Sequence, residues 1–292
     1  MNLKILSLNA HSLHGEERDR LQNTEALCDF LKTERPDVIA LQEVNQSADG
    51  EVADTDHAEL YRTAPTCVRP EPIKEDNFAL ELYWEMARRG VKYHLCWLPV
   101  KLGYGRFDEG LAFLCREPIR QACGFYISKS EEYKNWKTRM ALYAELKESG
   151  LYLCNVHTSR YDDEEEPFFE QWKRLDGRLP TKERLFLMGD FNNPAEIRGE
   201  GYDRIAESRY YDLYKLADER RGGAATVAGE IDGWRDGKAP EGGGRIDLIL
   251  SGFYPKAKNI IYSRVLDGSR GDVVSDHYGI MVNIEGLEVD AL

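Results

Sequence analysis

The chain has 292 residues, 42% hydrophobic and 31% charged, which is enough apolar material for a substantial core and excludes a disordered or fibrous chain. No apolar run approaches the roughly 18–20 residues that a spanning helix needs, and MNLKILSLNA reads as a strand rather than a secretory signal, so a cytoplasmic location with no membrane partner is expected. Acidic residues outnumber basic ones 52 to 39, for a net charge of −13; that counts against nucleic acid as a partner, and an acidic protein with an anionic substrate needs a cation between them.

In chain order, LKILSLN (3–9) is the first expected strand. A helical pattern follows over Glu17 to Glu34, with Leu21, Ala26, Leu27, Phe30 and Leu31 on one side and a stop before Pro36. DVIALQEV (37–44) is the second strand. Residues 45 to 76 are polar and read as a long loop. Asn77 to Arg89 is a second helix, with Phe78, Leu82 and Met86 inside and Gly90 as its stop. The strands YHLCWLPV (93–100), LAFLCR (111–116), MALYAELK (140–147) and LYLCNVH (151–157) follow. A short third helix is expected over Pro167 to Leu175. The last three strands are LFLMGD (185–190), RIDLIL (245–250) and GIMVNIE (279–285). The glycine-rich stretch 218 to 244 reads as another long loop, and loops of that length tend to carry function. Nine strands interleaved with helices predict the α/β or α+β class, with helices outside a layered sheet. No repeat or linker divides the chain, so one domain over 1–292 is expected. Six cysteines, at 28, 67, 96, 115, 123 and 154, form no CxxC pair and are expected to be reduced.

Strand after strand ends in a residue suited to a cation or a phosphate. LKILSLN ends at Asn9, DVIALQE at Glu43 and LYLCNVH at His157. LFLMGDFNNP supplies Asp190 and Asn192, RIDLIL supplies Asp247, and SDHYG supplies Asp276 and His277. Carboxylate and amide oxygens without a Cys/His cluster suit a hard cation such as Mg²⁺, and two histidines beside them suit phosphoryl contact and proton movement. Taken singly each has a plainer reading: an Asn at a strand end forms turns, Gly-Asp-Phe-Asn caps backbone groups, and Ser-Asp-His makes an Asx turn.

As an ordered set, LSLNAHS, VIALQEV, RFDEGLAFL, NVHTS, MGDFNNP, RIDLIL and SDHYGI closely resemble the endonuclease/exonuclease/phosphatase superfamily, over residues 3 to 280. The resemblance implies a four-layered α/β/β/α sandwich of the DNase I-like kind and Mg²⁺- or Mn²⁺-dependent cleavage of a phosphoester by direct in-line attack of water. It implies Glu43 as the main metal ligand, with Asn9 and Asp276 near it. It implies that Asp190 orients or deprotonates the water and that Asn192 helps hold the phosphate. His277 would contact the phosphate with Asp247 fixing its ring, and His157 would be the second phosphate-side histidine, with Glu109 as its carboxylate partner. Where many nuclease relatives carry a Tyr that touches the phosphate, RFDEG has Phe107, and Tyr104 is the substitute the nearby loop offers.

For the substrate, WLPVKLGYGRFDEGLAF (97–113), SRYDDEEEPFFEQW (159–172) and TVAGEIDGW (226–234) resemble a bacterial subgroup that includes maltose 6′-phosphate phosphatases. A small phosphorylated sugar is therefore the expected partner, with a nuclease or phosphodiesterase as the alternative. The alternative needs a basic groove, for which Arg88, Arg89, Lys92 and Lys101 are the nearest cluster; a non-catalytic binding module would have lost some of the site residues. The run DDEEEP (162–167) reads as a solvated helix N-terminus or as a rim that repels polyanions. Trp97, Tyr104, Trp136 and Trp234 are candidates to stack on a sugar, Trp234 and Tyr104 foremost.

Overall fold

A computed structural model describes residues 1–13, 15, 17–55, 61–63, 71–181, 184–229 and 243–288, with only the backbone of 61–63. The strands are β1 (Leu3–Asn9), β2 (Val38–Ser47), β3 (Tyr61–Thr63), β4 (His94–Gly103), β5 (Phe107–Cys115), β6 (Ile119–Tyr126), β7 (Met140–Leu146), β8 (Tyr152–His157), β9 (Leu185–Asp190), β10 (Tyr211–Asp212), β11 (Glu219–Arg221), β12 (Asp247–Ser251), β13 (Asn259–Val265) and β14 (Gly279–Glu285). The helices are α1 (Glu17–Glu34), α2 (Phe78–Arg88), α3 (Phe168–Arg178), α4 (Gly201–Ala206) and α5 (Leu213–Leu216). Among the described residues one sheet runs β11-β13-β14-β1-β2-β5-β4-β3 and the other β10-β12-β9-β8-β7-β6.

Alternation along the strands sorts the side chains into layers. In β1, Leu3 and Ile5 pack between the sheets, while Leu6 and Leu8 pack under helices. The layer between the sheets joins Ala40, Leu98 and Phe113 to Leu142, Leu153, Phe186, Met188 and Ile249. Outside the first sheet, Leu27 and Leu31 of α1 and Leu82 and Met86 of α2 cover Ile39, Leu41 and Leu95. Outside the second, Trp172 and Leu175 of α3 and Tyr202 and Ile205 of α4 cover Val156, Leu187 and Leu248. This is the sandwich of two sheets with helices on both faces that the resemblance implies. Each such large apolar side chain contributes roughly 1.5–3 kcal/mol on burial.

Helix ends follow the sequence signals. The Asn77 side chain accepts from the backbone N–H groups of Ala79 and Leu80, both at 3.1 Å, and Gly90 takes φ 78 just beyond α2. The acidic run is not a helix turn: α3 starts at Phe168, after Pro167. Asp163 instead pairs with Lys137 at 3.0 Å, and Glu166 accepts from the backbone of Lys129 and Ser130 at 2.9 and 2.8 Å. The run is a folded turn tied to the segment before β7.

Reading by apolar runs misses several elements. β6 has Arg120 and Gln121 exposed on an edge, and β13 has only the short run Ile260–Tyr262. The short strands β3, β10 and β11 and the short helices α4 and α5 carry too few residues to show a period. The stretch 45–76 is not all loop, since β2 continues to Ser47 and β3 falls within it; likewise β11 falls within 218–244. Of the five described cysteines, Cys28, Cys96, Cys115 and Cys154 are buried, and no described helix is long and apolar enough to cross a membrane.

Candidate active site

The inward-facing row of each strand turns from apolar to polar at one end of the sandwich. After Leu3 and Ile5 come Ser7 and Asn9; after Leu153 come Asn155 and His157; before Ile249 comes Asp247. Gln42 donates to Asn155 Oδ1 at 2.7 Å, joining the two sheets just beneath the site.

Asp190, at the end of β9, sits at the centre. Its register partners are His157 on β8 and Asp247 on β12. Gly189 lets β9 come this close, because a Cβ there would lie 1.9 Å from the Val156 carbonyl oxygen, and its φ is +142°. Beyond Asp190 the chain turns through Asn192 at φ 51. The Asn192 N–H donates to Asp190 Oδ1 at 2.8 Å, and its side-chain amide donates to the Thr158 carbonyl at 2.9 Å. Asn193 is buried and donates to the Ser159 carbonyl at 3.1 Å. GDFNNP therefore both caps a turn and presents Asp190 and Asn192 to a cavity.

Glu43 reaches the site through a bulge. The β2–β5 register slips between Leu41 and Val44, and Glu43 takes φ 49. Asn9 Nδ2 donates to Glu43 Oε1 at 2.9 Å and to Asp190 Oδ2 at 3.1 Å, while its Oδ1 accepts the His11 N–H at 3.1 Å. The nitrogen of Asn9 thus faces the carboxylates. In this arrangement Asn9 orders Glu43. His11 Nδ1 lies 3.1 Å from Glu43 Oε2 and 3.9 Å from Asp276 Oδ1. Burial opposes ionisation of Glu43, but hydrogen bonds with His11 and Asn9 hold it well below the usual carboxylate range.

The two histidines sit in opposite electrostatic settings. His277 Nδ1 lies 2.9 Å from Asp247 Oδ2, and Nε2 lies 3.8 Å from Asp190 Oδ2. Burial works against its charge, but Asp247 and Asp190 push it up to about 10. His157 Nε2 lies 3.7 Å from Asp190 Oδ2; burial, and then the charge of Arg139, hold it well below the ordinary histidine range. It is neutral where His277 is a cation. Burial raises Asp190 to about 7, against the pull of His277.

Asp190, Asp247 and His277 bring ligand atoms within 4.8 Å of one another. Within this trio His277 Nδ1 is engaged by Asp247, and its Nε2 faces Asp190 at ion-pair distance. The donor set that fits a hard cation is the ionised Glu43 with Asp276, two carboxylates that both approach the His11 ring.

The cavity over these groups has a volume of about 720 Å³. Tyr104 and Trp136, 59% and 60% exposed, line it together with Lys134, Arg160 and Asp162. Glu109 also lines it, but its partner is Lys101 Nζ at 3.0 Å, not His157. The cause is register: Lys101 and Glu109 face each other across β4 and β5. Phe107 is buried and Trp97 is a core residue, 2% exposed. Trp234 lies outside the described residues. The expected basic cluster does not assemble: Arg88 pairs with Glu85 at 2.9 Å, Arg88, Arg89 and Lys92 line no part of the cavity, and Lys101 is buried within it. Sequence reasoning missed His11, Arg139 and Arg160. His11 had a signal, standing two residues beyond Asn9 within LSLNAHS; Arg139 had none, since it precedes β7 with no polar strand end to mark it.

A model of the Endonuclease/Exonuclease/phosphatase family matches residues 6–277. The chain belongs to that family. Family members hydrolyse phosphoesters and generally depend on a divalent metal. Among solved structures, an endonuclease/exonuclease/phosphatase family protein from Leptotrichia buccalis C-1013-b is 26% identical with TM-score 0.79, covering 97% of this chain and 99% of its own. A mannosyl-6-phosphatase from Bacteroides thetaiotaomicron VPI-5482 is 16% identical with TM-score 0.58, over 96% and 98%. TDP2 from D. rerio, complexed with a single-strand DNA product, is 17% identical with TM-score 0.57, over 97% and 98%. These last two share the fold. Among curated proteins no sequence matches.

Proposed function

We propose that this chain is a Mg²⁺- or Mn²⁺-dependent phosphatase that hydrolyses a phosphomonoester of a small sugar, in the manner of the maltose 6′-phosphate phosphatases its sequence resembles. The observation that carries the reading is a single cavity with Asp190 between two imidazoles at its base and two exposed aromatic rings, Tyr104 and Trp136, on its lining. Cavities of this size suit small molecules, and exposed rings suit the apolar face of a sugar.

Glu43 and Asp276 are the residues to hold the cation, which when bound supplies positive charge against the phosphoryl oxygens. Asp190 takes the proton of the attacking water; its raised pKa suits a base working near neutrality. Water forms the new bond to phosphorus as the ester oxygen departs in line. Cationic His277, its ring fixed by Asp247, and neutral His157 donate hydrogen bonds to phosphoryl oxygens, and Asn192 holds the same group from the β9 turn. Glu109 serves through Lys101.

A phosphodiesterase or nuclease would use the same set, and the likeness to TDP2 favours keeping that reading. The net charge of −13 and the ion-paired Arg88 argue against it. Phosphate release with Mg²⁺ from sugar 6-phosphates, maltose 6′-phosphate, nucleotides and inositol phosphates, with plasmid alongside, decides the matter. Selective turnover of a sugar phosphate that Asp190→Asn abolishes, with KM raised by Tyr104→Ala or Trp136→Ala, supports the phosphatase. Nicked plasmid without monoester turnover reverses it.

A further inference from the structure

Arg139 is 8% exposed and lines the cavity. Its Nη1 donates to the carbonyls of Trp136 and Thr138 at 2.9 and 3.1 Å, which fixes the plane of the guanidinium. Its Nε has no hydrogen-bond partner. Among the described residues no carboxylate lies within ion-pairing distance of it. A buried arginine is ordinarily matched by an acid, because an isolated charge is costly to bury. Lys101, 6% exposed, lines the same cavity, and its own partner is Glu109 at 3.0 Å. Glu109 is thus matched by Lys101, and Arg139 stands on the cavity lining without an ion pair.

The acids of the site, Glu43, Asp190 and Asp276, also line the cavity. An anion entering meets Arg139 as a buried cation without an ion pair of its own. A phosphomonoester carries three non-bridging oxygens and close to two negative charges. A diester carries two such oxygens and one charge, with an ester carbon where the third oxygen would be. Seated against Arg139, that carbon offers the guanidinium no acceptor.

We propose that Arg139, supported by the Lys101–Glu109 pair, is the seat of the third phosphoryl oxygen and selects a terminal phosphomonoester over a diester. This rests on the phosphatase reading above for its substrate class. It adds a recognition group to the cavity lining and gives a reason for the choice between ester types. A site built to hydrogen-bond one group rejects the analogue lacking it more strongly than an apolar pocket rejects a wrong shape.

The test uses the full chain with Mg²⁺, p-nitrophenyl phosphate against bis(p-nitrophenyl) phosphate, and calorimetric binding of inorganic phosphate. Arg139→Met should lower kcat/KM for the monoester by roughly 10- to 100-fold, the worth of one charged hydrogen bond, and change the diester little. Inorganic phosphate should bind more weakly by a similar factor. Tm should hold or rise, since an unmatched buried charge has gone. Arg139→Lys, which keeps charge but loses the planar fork, should fall between. Lys101→Met combined with Glu109→Gln, which leaves no lone acid, should weaken phosphate binding less than Arg139→Met. Equal losses on both esters, or wild-type phosphate affinity in Arg139→Met, overturn the assignment, as does a lowered Tm with the ester ratio intact in Arg139→Lys. A wild-type enzyme that cleaves only the diester overturns the phosphatase reading and the selectivity with it; phosphate binding lost in Arg139→Met would then support the anion seat alone.

Discussion

His277 Nδ1 lies 2.9 Å from Asp247 Oδ2, with both groups buried and the second Asp247 oxygen left without a partner. Asp247 is the largest influence raising His277 to about 10. A raised pKa keeps the imidazole charged below that value and releases the proton above it. Activity that needs the cation is therefore lost as pH rises toward 10. Asp247→Asn removes the negative charge, so this alkaline limb should move down toward the ordinary histidine range near 6.5. Rate profiles of the two proteins from pH 5 to 10.5 check it; an unmoved limb would mean that another group sets it.

Glu43, Asp190, Asp247 and Asp276 crowd one end of the sandwich. A cation held by Glu43 and Asp276 should relieve that crowding and bind only the folded chain. At about 100 times its dissociation constant, Mg²⁺ then stabilises by roughly 2.7 kcal/mol, several degrees in Tm. Glu43→Gln should abolish most of the shift. Thermal scans with and without millimolar Mg²⁺ are the measurement; a shift of equal size in Glu43→Gln would place the cation elsewhere.

Asn155 Nδ2 donates to the carbonyls of Leu41 and Ala112 at 2.9 and 3.0 Å, and its Oδ1 accepts from Gln42 at 2.7 Å. Those carbonyls adjoin the slip in the β2–β5 ladder that aims Glu43. Asn155→Leu fills the space but leaves buried groups unpaired. The expected cost is about 2–4 kcal/mol, with activity reduced because the bulge loses its support. Denaturant unfolding and kcat measured together test both halves; full stability would deny Asn155 its bridging role.

Gly189→Ala should be more damaging than its single methyl suggests. The added Cβ meets backbone, the Val156 carbonyl, rather than a side chain that can move. β8 and β9 must separate, which takes His157 away from Asp190. We expect loss of both activity and several kcal/mol of stability, read by urea titration. A variant of wild-type stability would show that the strands part at little cost.

The sequence by itself determined the family, the order of the longer strands and helices, and the candidate site residues. Asn9, His157, Asp190 and Asp247 stand at strand ends, Asn192, Asp276 and His277 in turns beside them, and Glu43 at the β2 bulge; a period of two fixes which face the strand residues take. Local signals also set the start of α2 at Asn77 and its end near Gly90. Only the tertiary structure decided the pairings. Glu109 turned to Lys101 because β4 and β5 are neighbours, and the nitrogen of Asn9 turned to Glu43 because the His11 N–H claimed its oxygen. The acidic run 162–166 became a turn because Lys137 and the backbone at 129–130 reach it. Arg139 and His11 joined the site with little or no local mark. Register, bulges and burial are relations between distant segments, and it is these, not residue type, that set whether a charge is matched, a histidine protonated or a carboxylate neutral.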